Sequence, residues 1–261
     1  MRKKNVFLII IIIVFAVAFI ITAGFLVFKG INQNNLQEEY GNIASSYASD
    51  VDGTASNEVA ESTVHLVDNP IDFDSLIKKN SDIYSWITIP DTNVNYPVLR
   101  SATDDNFYLD HDVNKNYSFA GSIYSQFCNK RDYSDRVTVL YGHNMADGSM
   151  FADLHKFSNK DFFDKNKYIY VYTSDRKLTY EIVSAVVYDD RHIMNSFDFT
   201  DDRVFQEYLD SVLNPRSVSS NVREGITLDT DDKLLVLSTC LNYGSGRYLV
   251  QGVLINDEQT K

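Results

Sequence analysis

Residues 6–28 constrain this chain more than any other stretch. They form a run of 23 residues without a charge, interrupted by little besides Thr22 and Gly24. Wound as an α-helix at about 1.5 Å per residue, the run is about 34 Å long, enough to cross a bilayer core of about 30 Å. A cleaved secretory leader has an apolar core of only about 7–15 residues and ends in a small-x-small site. This run is longer and reads as an uncleaved anchor. Arg2, Lys3 and Lys4 precede it, whereas Lys29 alone follows closely. That bias predicts a single-pass protein of the cell membrane, with residues 1–5 in the cytoplasm and everything after residue 28 outside.

The segment outside is acidic. The chain carries a formal charge of −12, and residues 1–28 hold three of its positive charges and none of its acids, which leaves about −15 for the rest. Such a surface argues against a nucleic-acid partner, because phosphate binding needs a basic footprint. The acidity reads as a solubility feature. Asp229, Asp231 and Asp232, and the pair Asp201 and Asp202, lack the ligand spacing of an EF-hand calcium loop and read as solvated turns. Two cysteines, Cys128 and Cys240, are too few for a disulfide framework. Cys128 precedes a polar stretch and reads as a structural or incidental thiol.

Residues 29–70 are rich in Asn, Gln, Ser, Ala and Glu and read as an extracellular stalk, with a helical stretch around 35–46. A folded domain is expected over 71–261, opening on a short helix at 72–79 with Asp72 as a possible N-cap. Strand-type runs follow at 83–89, 94–99, 121–126, 136–141, 168–173, 178–188, 233–239 and 247–255. Eight short strands parted by turn residues predict a mainly β fold, an eight-stranded closed barrel. Two helical insertions are expected. Residues 150–163 carry Phe151, Leu154, Phe157 and Phe162, with a break near Ser158-Asn159. Residues 200–213, between the sixth and seventh expected strands, carry the stripe Val204, Phe205, Tyr208, Leu209 and Val212. Thr200 is the expected N-cap there, and Asn214-Pro215 the stop.

Chemistry-bearing residues gather at the expected strand ends. The apolar run Leu234-Leu235-Val236-Leu237 closes on Ser238-Thr239-Cys240, a strand before it ends in Gly142-His143, and Arg247 opens the last strand. A free cysteine has a pKa of about 8.5, so a neighbouring cation raises its reactive thiolate fraction. A thiolate attacks a peptide carbonyl and leaves a thioester. Imidazole gives and takes protons near neutral pH. A guanidinium fork stabilises a developing oxyanion or clamps a substrate backbone. Singly, each residue has an ordinary explanation: a buried small hydrophobe, a structural histidine, a surface ion pair. In papain-like enzymes Cys precedes His, and in caspases the His lies about 50 residues upstream; here the gap from His143 to Cys240 is 97 residues. Of the other histidines (His65, His111, His155 and His192), His111 in Leu109-Asp110-His111-Asp112 is the next candidate. Arg223 and Arg191 are possible substitutes for Arg247.

Tyr141-Gly142-His143-Asn144-Met145, Leu237-Ser238-Thr239-Cys240 and Arg247, in that order behind a membrane anchor, resemble the sortases. These are cysteine transpeptidases that attach surface proteins to Gram-positive cell walls. The class B branch fits best, and the resemblance spans about residues 72–255. Val236 stands where the family often has Thr, and Leu241 where an acidic residue often follows the cysteine. The resemblance implies a sortase-type barrel in which the helix at 200–213 forms part of the wall of the substrate groove. It implies that Cys240 is the nucleophile, His143 the general acid and Arg247 the oxyanion and substrate clamp. Ser238 shares the face of Cys240 and is expected to line the groove. The loop at 193–198 is where sequence selectivity is expected.

The implied reaction cleaves a C-terminal sorting signal of the Asn-Pro-x-Thr-x type after its Thr, through a thioester acyl-enzyme. It then transfers the protein to a peptidoglycan precursor or cross-bridge amine, with hydrolysis as a side reaction. This chemistry needs no metal or organic cofactor. Two other functions fit the same residues: a cysteine endopeptidase that gives the acyl-enzyme to water, and an anchored binding module that uses the groove without chemistry.

Overall fold

The computed structural model describes residues 2–48, 66–217, 219–242 and 244–261. Residues 49–65 of the expected stalk, with His65, lie outside them, as do Val218 and Tyr243. The chain divides into two compact units, Met1–Asn42 and Ile43–Lys261.

The first unit is helical. Helix α1 (Arg2–Tyr47) contains a segment long and apolar enough to cross a membrane. Phe15, Phe19, Phe25 and Phe28 stand exposed on it. The helical stretch expected at 35–46 is the continuation of this same helix, since no proline interrupts it.

The second unit is built on strands. Helix α2 (Phe73–Lys79) leads in, and the Asp72 side chain accepts from the Ser75 N–H as its cap. The strands are β1 (Ile83–Thr88), β2 (Asn95–Leu99), β3 (Ile123–Tyr124), β4 (Val137–Tyr141), β5 (Tyr168–Tyr172), β6 (Arg176–Tyr188), β7 (Ser220–Val222), β8 (Leu234–Cys240) and β9 (Arg247–Gln259). They pair in the order β5-β1-β2-β3-β4-β8-β9-β6-β7, and β5 pairs again with β6. That last pairing closes eight strands into the expected barrel. It also leaves β7 as an extra strand on the far half of β6, against Ser184, Ala185 and Val186. β7 escapes a sequence reading because Ser-Asn-Val is too short to show a period. β9 runs past its expected end because its polar tail carries no apolar signal, yet that tail still pairs with β6 and Arg176 grips Asp257.

Between β4 and β5 the segment expected as helix with a break is a 3-10 stretch (Ala152–Ser158) followed by α3 (Lys160–Lys165). Asn159 separates them, and its side chain caps α3 through the Phe162 N–H. Between β6 and β7 lie α4 (Ile193–Ser196) and α5 (Asp202–Leu213). The cap of α5 is Asp201, not Thr200. The Asp201 carboxylate accepts from the Arg203 and Val204 N–H groups, while Thr200 donates its hydroxyl to Asp198. A carboxylate one residue closer to the free N–H groups also meets the positive end of the helix dipole.

Helix α5 sets Phe205, Tyr208, Leu209 and Val212 on Val137, Val139, Val236 and Leu249. Burying each such side chain contributes about 1.5–3 kcal/mol. A buried polar chain pins the helix as well: the Tyr208 hydroxyl donates to Gln251 Oε1 at 2.9 Å, and Gln251 Nε2 donates to Ser184 Oγ at 2.9 Å. β8 is therefore paired on both edges and covered on both faces, which explains its continuous apolar run. It is buried from Leu234 to Thr239 and exposed at Cys240.

Candidate active site

Strand register assembles the site. Parallel pairing of β4 with β8 sets Tyr141 beside Ser238. The Gly142 N–H then donates to the Ser238 carbonyl at 3.2 Å. Carrying this register two residues on brings His143 level with Cys240. Antiparallel pairing of β8 with β9 sets Cys240 directly opposite Arg247. Gly142 is required by space: a Cβ there would stand 2.5 Å from Ile123 Cδ1 and 2.7 Å from Phe151 Cδ2.

The Cys240 thiol is free and exposed. Arg247 Nη1 lies 3.6 Å from its Sγ and also donates to the Gly246 carbonyl at 3.1 Å. Gly246 adopts φ 129° with the Tyr188 carbonyl 2.7 Å from where a Cβ would be, so the turn that delivers Arg247 needs a glycine.

His143 Nε2 lies 2.8 Å from the Leu109 carbonyl. A carbonyl only accepts, so Nε2 carries the hydrogen and Nδ1 is left to exchange a proton. The ring lies near-parallel to Phe119, with centroids 5.9 Å apart. Among the described residues, His143 makes no hydrogen bond to Cys240.

Ser238 is on the face of Cys240 but only 4% exposed. Tyr141, paired with Ser238, meets Tyr124 in a tilted ring pair with centroids 5.5 Å apart. Burial pushes the Tyr124 phenol up to about 12 against the pull of Arg247, with Cys240 among the charges that raise it, which ties this ring to the site. His192 caps α4 by accepting the Asn195 N–H and meets Gln126 and Tyr141, at the start of the loop expected to set selectivity.

The other candidates are engaged elsewhere. The His111 ring stacks on Phe107 at 3.9 Å, and its Nδ1 is 2.8 Å from the Phe107 carbonyl. Arg223 donates to the Ile182 and Phe163 carbonyls, and Arg191 pairs with Asp189. Asp229 and Asp232 accept backbone N–H groups within their own turn. Two residues given no role by sequence do reach the site. Asn144 Nδ2 and His155 Nε2 lie 3.2 Å and 2.9 Å from the Cys240 carbonyl. His155 looked like one more residue of a helical stretch, and no pattern links it to a cysteine 85 positions on.

Known proteins show which family the chain resembles. A family model for the sortase domain matches residues 87–255. Sortase B of Listeria monocytogenes is 37% identical over 188 residues, covering 69% of this chain and 72% of that protein. The crystal structure of sortase B from Bacillus anthracis in complex with AAEK1 is similar with a TM-score of 0.70 at 25% identity, over 88% of this chain and 99% of that one. Clostridium perfringens sortase B is similar with a TM-score of 0.64 at 33% identity, over 70% of this chain and all (100%) of that one. Strand register, the exposed thiol beside a guanidinium and these likenesses converge: the chain belongs to the sortase family of cysteine transpeptidases, in its class B branch.

Proposed function

We propose that this sortase cleaves a C-terminal signal of the Asn-Pro-x-Thr-x type after its Thr and joins the Thr carbonyl to a peptidoglycan amine. Cys240 is the nucleophile, His143 the general acid and base, Arg247 the oxyanion and substrate clamp, and Ser238 part of the groove. The observation that carries this reading is the exposed Cys240 Sγ with Arg247 Nη1 3.6 Å away. An arginine guanidinium offers a planar, charged fork that can meet a developing oxyanion beside the thiol.

The thiolate adds to the Thr carbonyl, and Arg247 faces the oxygen that becomes negative. As the peptide C–N bond breaks, the leaving amine takes a proton from Nδ1 of protonated His143, and a thioester remains. The acceptor amine returns a proton to His143 as it attacks. An amide forms and the thiolate is released. Water in place of the amine gives the hydrolytic side reaction.

In this reading residues 6–28 anchor the protein, 1–5 lie in the cytoplasm, and 29–70 hold the catalytic domain, 71–261, off the outer surface. Arg2, Lys3 and Lys4 ahead of the apolar run support that orientation. The test is intact-mass spectrometry of the detergent-solubilised chain mixed with candidate sorting peptides, with and without a small amine. An adduct on Cys240 that the amine converts to a ligated peptide is expected. An adduct released only by water would make the protein a protease, and an unmodified Cys240 with every peptide would sink the reading.

A further inference from the structure

The Cys240 carbonyl is held by two side chains that take no part in the bond-making above. His155 Nε2 is 2.9 Å from it, and since a carbonyl only accepts, that nitrogen carries a hydrogen. Asn144 Nδ2 is 3.2 Å from the same oxygen and 2.8 Å from Asn242 Oδ1, so its two amide hydrogens meet two acceptors. The two donors converge on the oxygen 3.1 Å apart. The His155 ring is itself fixed. It stacks on Tyr248, with centroids 4.8 Å apart at 25°, and Ser158 Oγ donates to the His155 carbonyl at 2.7 Å.

Such a clamp has a reason at this position. Cys240 is the last residue of β8, and the chain beyond it leaves the sheet through Gly244 and Gly246, both at positive φ. A strand end that runs into a turn built on glycines keeps its direction poorly unless something else holds it. Tyr248 pairs with Thr239, on the opposite face of β8 from the Cys240 side chain. His155 therefore grips the nucleophile from behind, through the backbone.

We propose that His155 and Asn144 are positioning residues for Cys240. Together they fix the plane of the Cys240–Leu241 peptide. That plane sets where Sγ stands relative to Arg247. Because a trans peptide is planar, it also turns the Leu241 N–H away from the clamped carbonyl. The proposal rests on Cys240 being the nucleophile.

The test uses the full-length chain in detergent and compares His155→Phe with His155→Gln. Phe keeps an aromatic ring against Tyr248 but donates nothing, whereas Gln offers an amide N–H to the same carbonyl. Single-turnover acylation by a sorting peptide, the kcat and KM of transfer, and Tm are read together. For His155→Phe, kcat is expected to fall about tenfold to a hundredfold, as a misplacement of about 1 Å does, with KM and Tm little changed. His155→Gln is expected to recover most of the loss, and Asn144→Ala to show a smaller fall of the same kind. Wild-type turnover in His155→Phe, a loss that follows Tm, or failure of Gln to rescue overturns the proposal while leaving the wild-type acyl-enzyme intact. A wild-type chain that never acylates at Cys240 instead removes the nucleophile assignment, and this proposal with it.

Discussion

On the face of the β8–β9 end that α5 also covers stand Cys240, exposed, and Arg247, half-buried. On the opposite face, one residue along each strand, Thr239 and Tyr248 are 2% exposed and the His155 ring is stacked on Tyr248. Both faces hang on the same two strands. The difference between them follows from alternation, because successive side chains of a strand point to opposite sides. A sheet end can thus give one face to packing, which fixes the backbone, and leave the other open to a substrate. A nucleophile on a free loop would be just as reachable but less well aimed, and one in mid-strand would be aimed but buried.

The sharpest way to break this comparison is to remove the thiol. Cys240→Ala is expected to abolish acyl-enzyme formation while shifting stability by less than about 0.5 kcal/mol, the usual size for an exposed site. Mass spectrometry and a melting curve check both halves; a large loss of Tm would show that the open face also bears packing. Next in size is Arg247. Removing a group that meets a developing oxyanion costs about a hundredfold to a thousandfold in rate. Arg247→Gln is expected to fall in that range in single-turnover acylation. Arg247→Lys is expected to recover little, since an ammonium lacks the planar fork. Full rescue by Lys would mean that charge alone is used.

Gly142→Ala probes the packed side. The new Cβ would press on Ile123 and Phe151, both buried. Overpacking of this kind costs about 1–3 kcal/mol. Because His143 is the next residue, acylation is expected to fall by more than the stability loss explains. A variant that melts and turns over normally would mean that the Ile123 and Phe151 side chains yield without moving the strand end.

The apolar run of β8 and its cysteine were legible because tight burial on both faces writes a continuous hydrophobic signal. The barrel was legible from strand count and turn residues. The helix cap was missed by one position because Thr200 and Asp201 are both competent caps, and the choice depends on which oxygen reaches the Arg203 and Val204 N–H groups. β7 was missed because three residues, Ser220-Asn221-Val222, are too few to carry a period, and its pairing is dictated by β6. The hold of His155 and Asn144 on Cys240 was illegible for a deeper reason. It joins a side chain to a backbone oxygen 85 residues away in the case of His155, and a carbonyl has no residue type to give it away.

The smallest effect tests the packed face alone. Thr239 Oγ1 and Tyr248 Oη are buried, and neither has a hydrogen-bond partner among the described residues. A buried unpaired hydroxyl costs about 1–3 kcal/mol relative to an apolar group of the same shape. Thr239→Val keeps the shape and the β-branch and removes that group. It is expected to raise stability by about 1 kcal/mol, within that range, and to leave acylation at Cys240 unchanged, because the substitution lies behind the strand. Tyr248→Phe should act in the same direction and keep the ring on which His155 rests. A gain in stability with a loss of acylation in Thr239→Val would mean that the two faces are not independent, and that some looseness at the packed side is used by the chemistry at the open one.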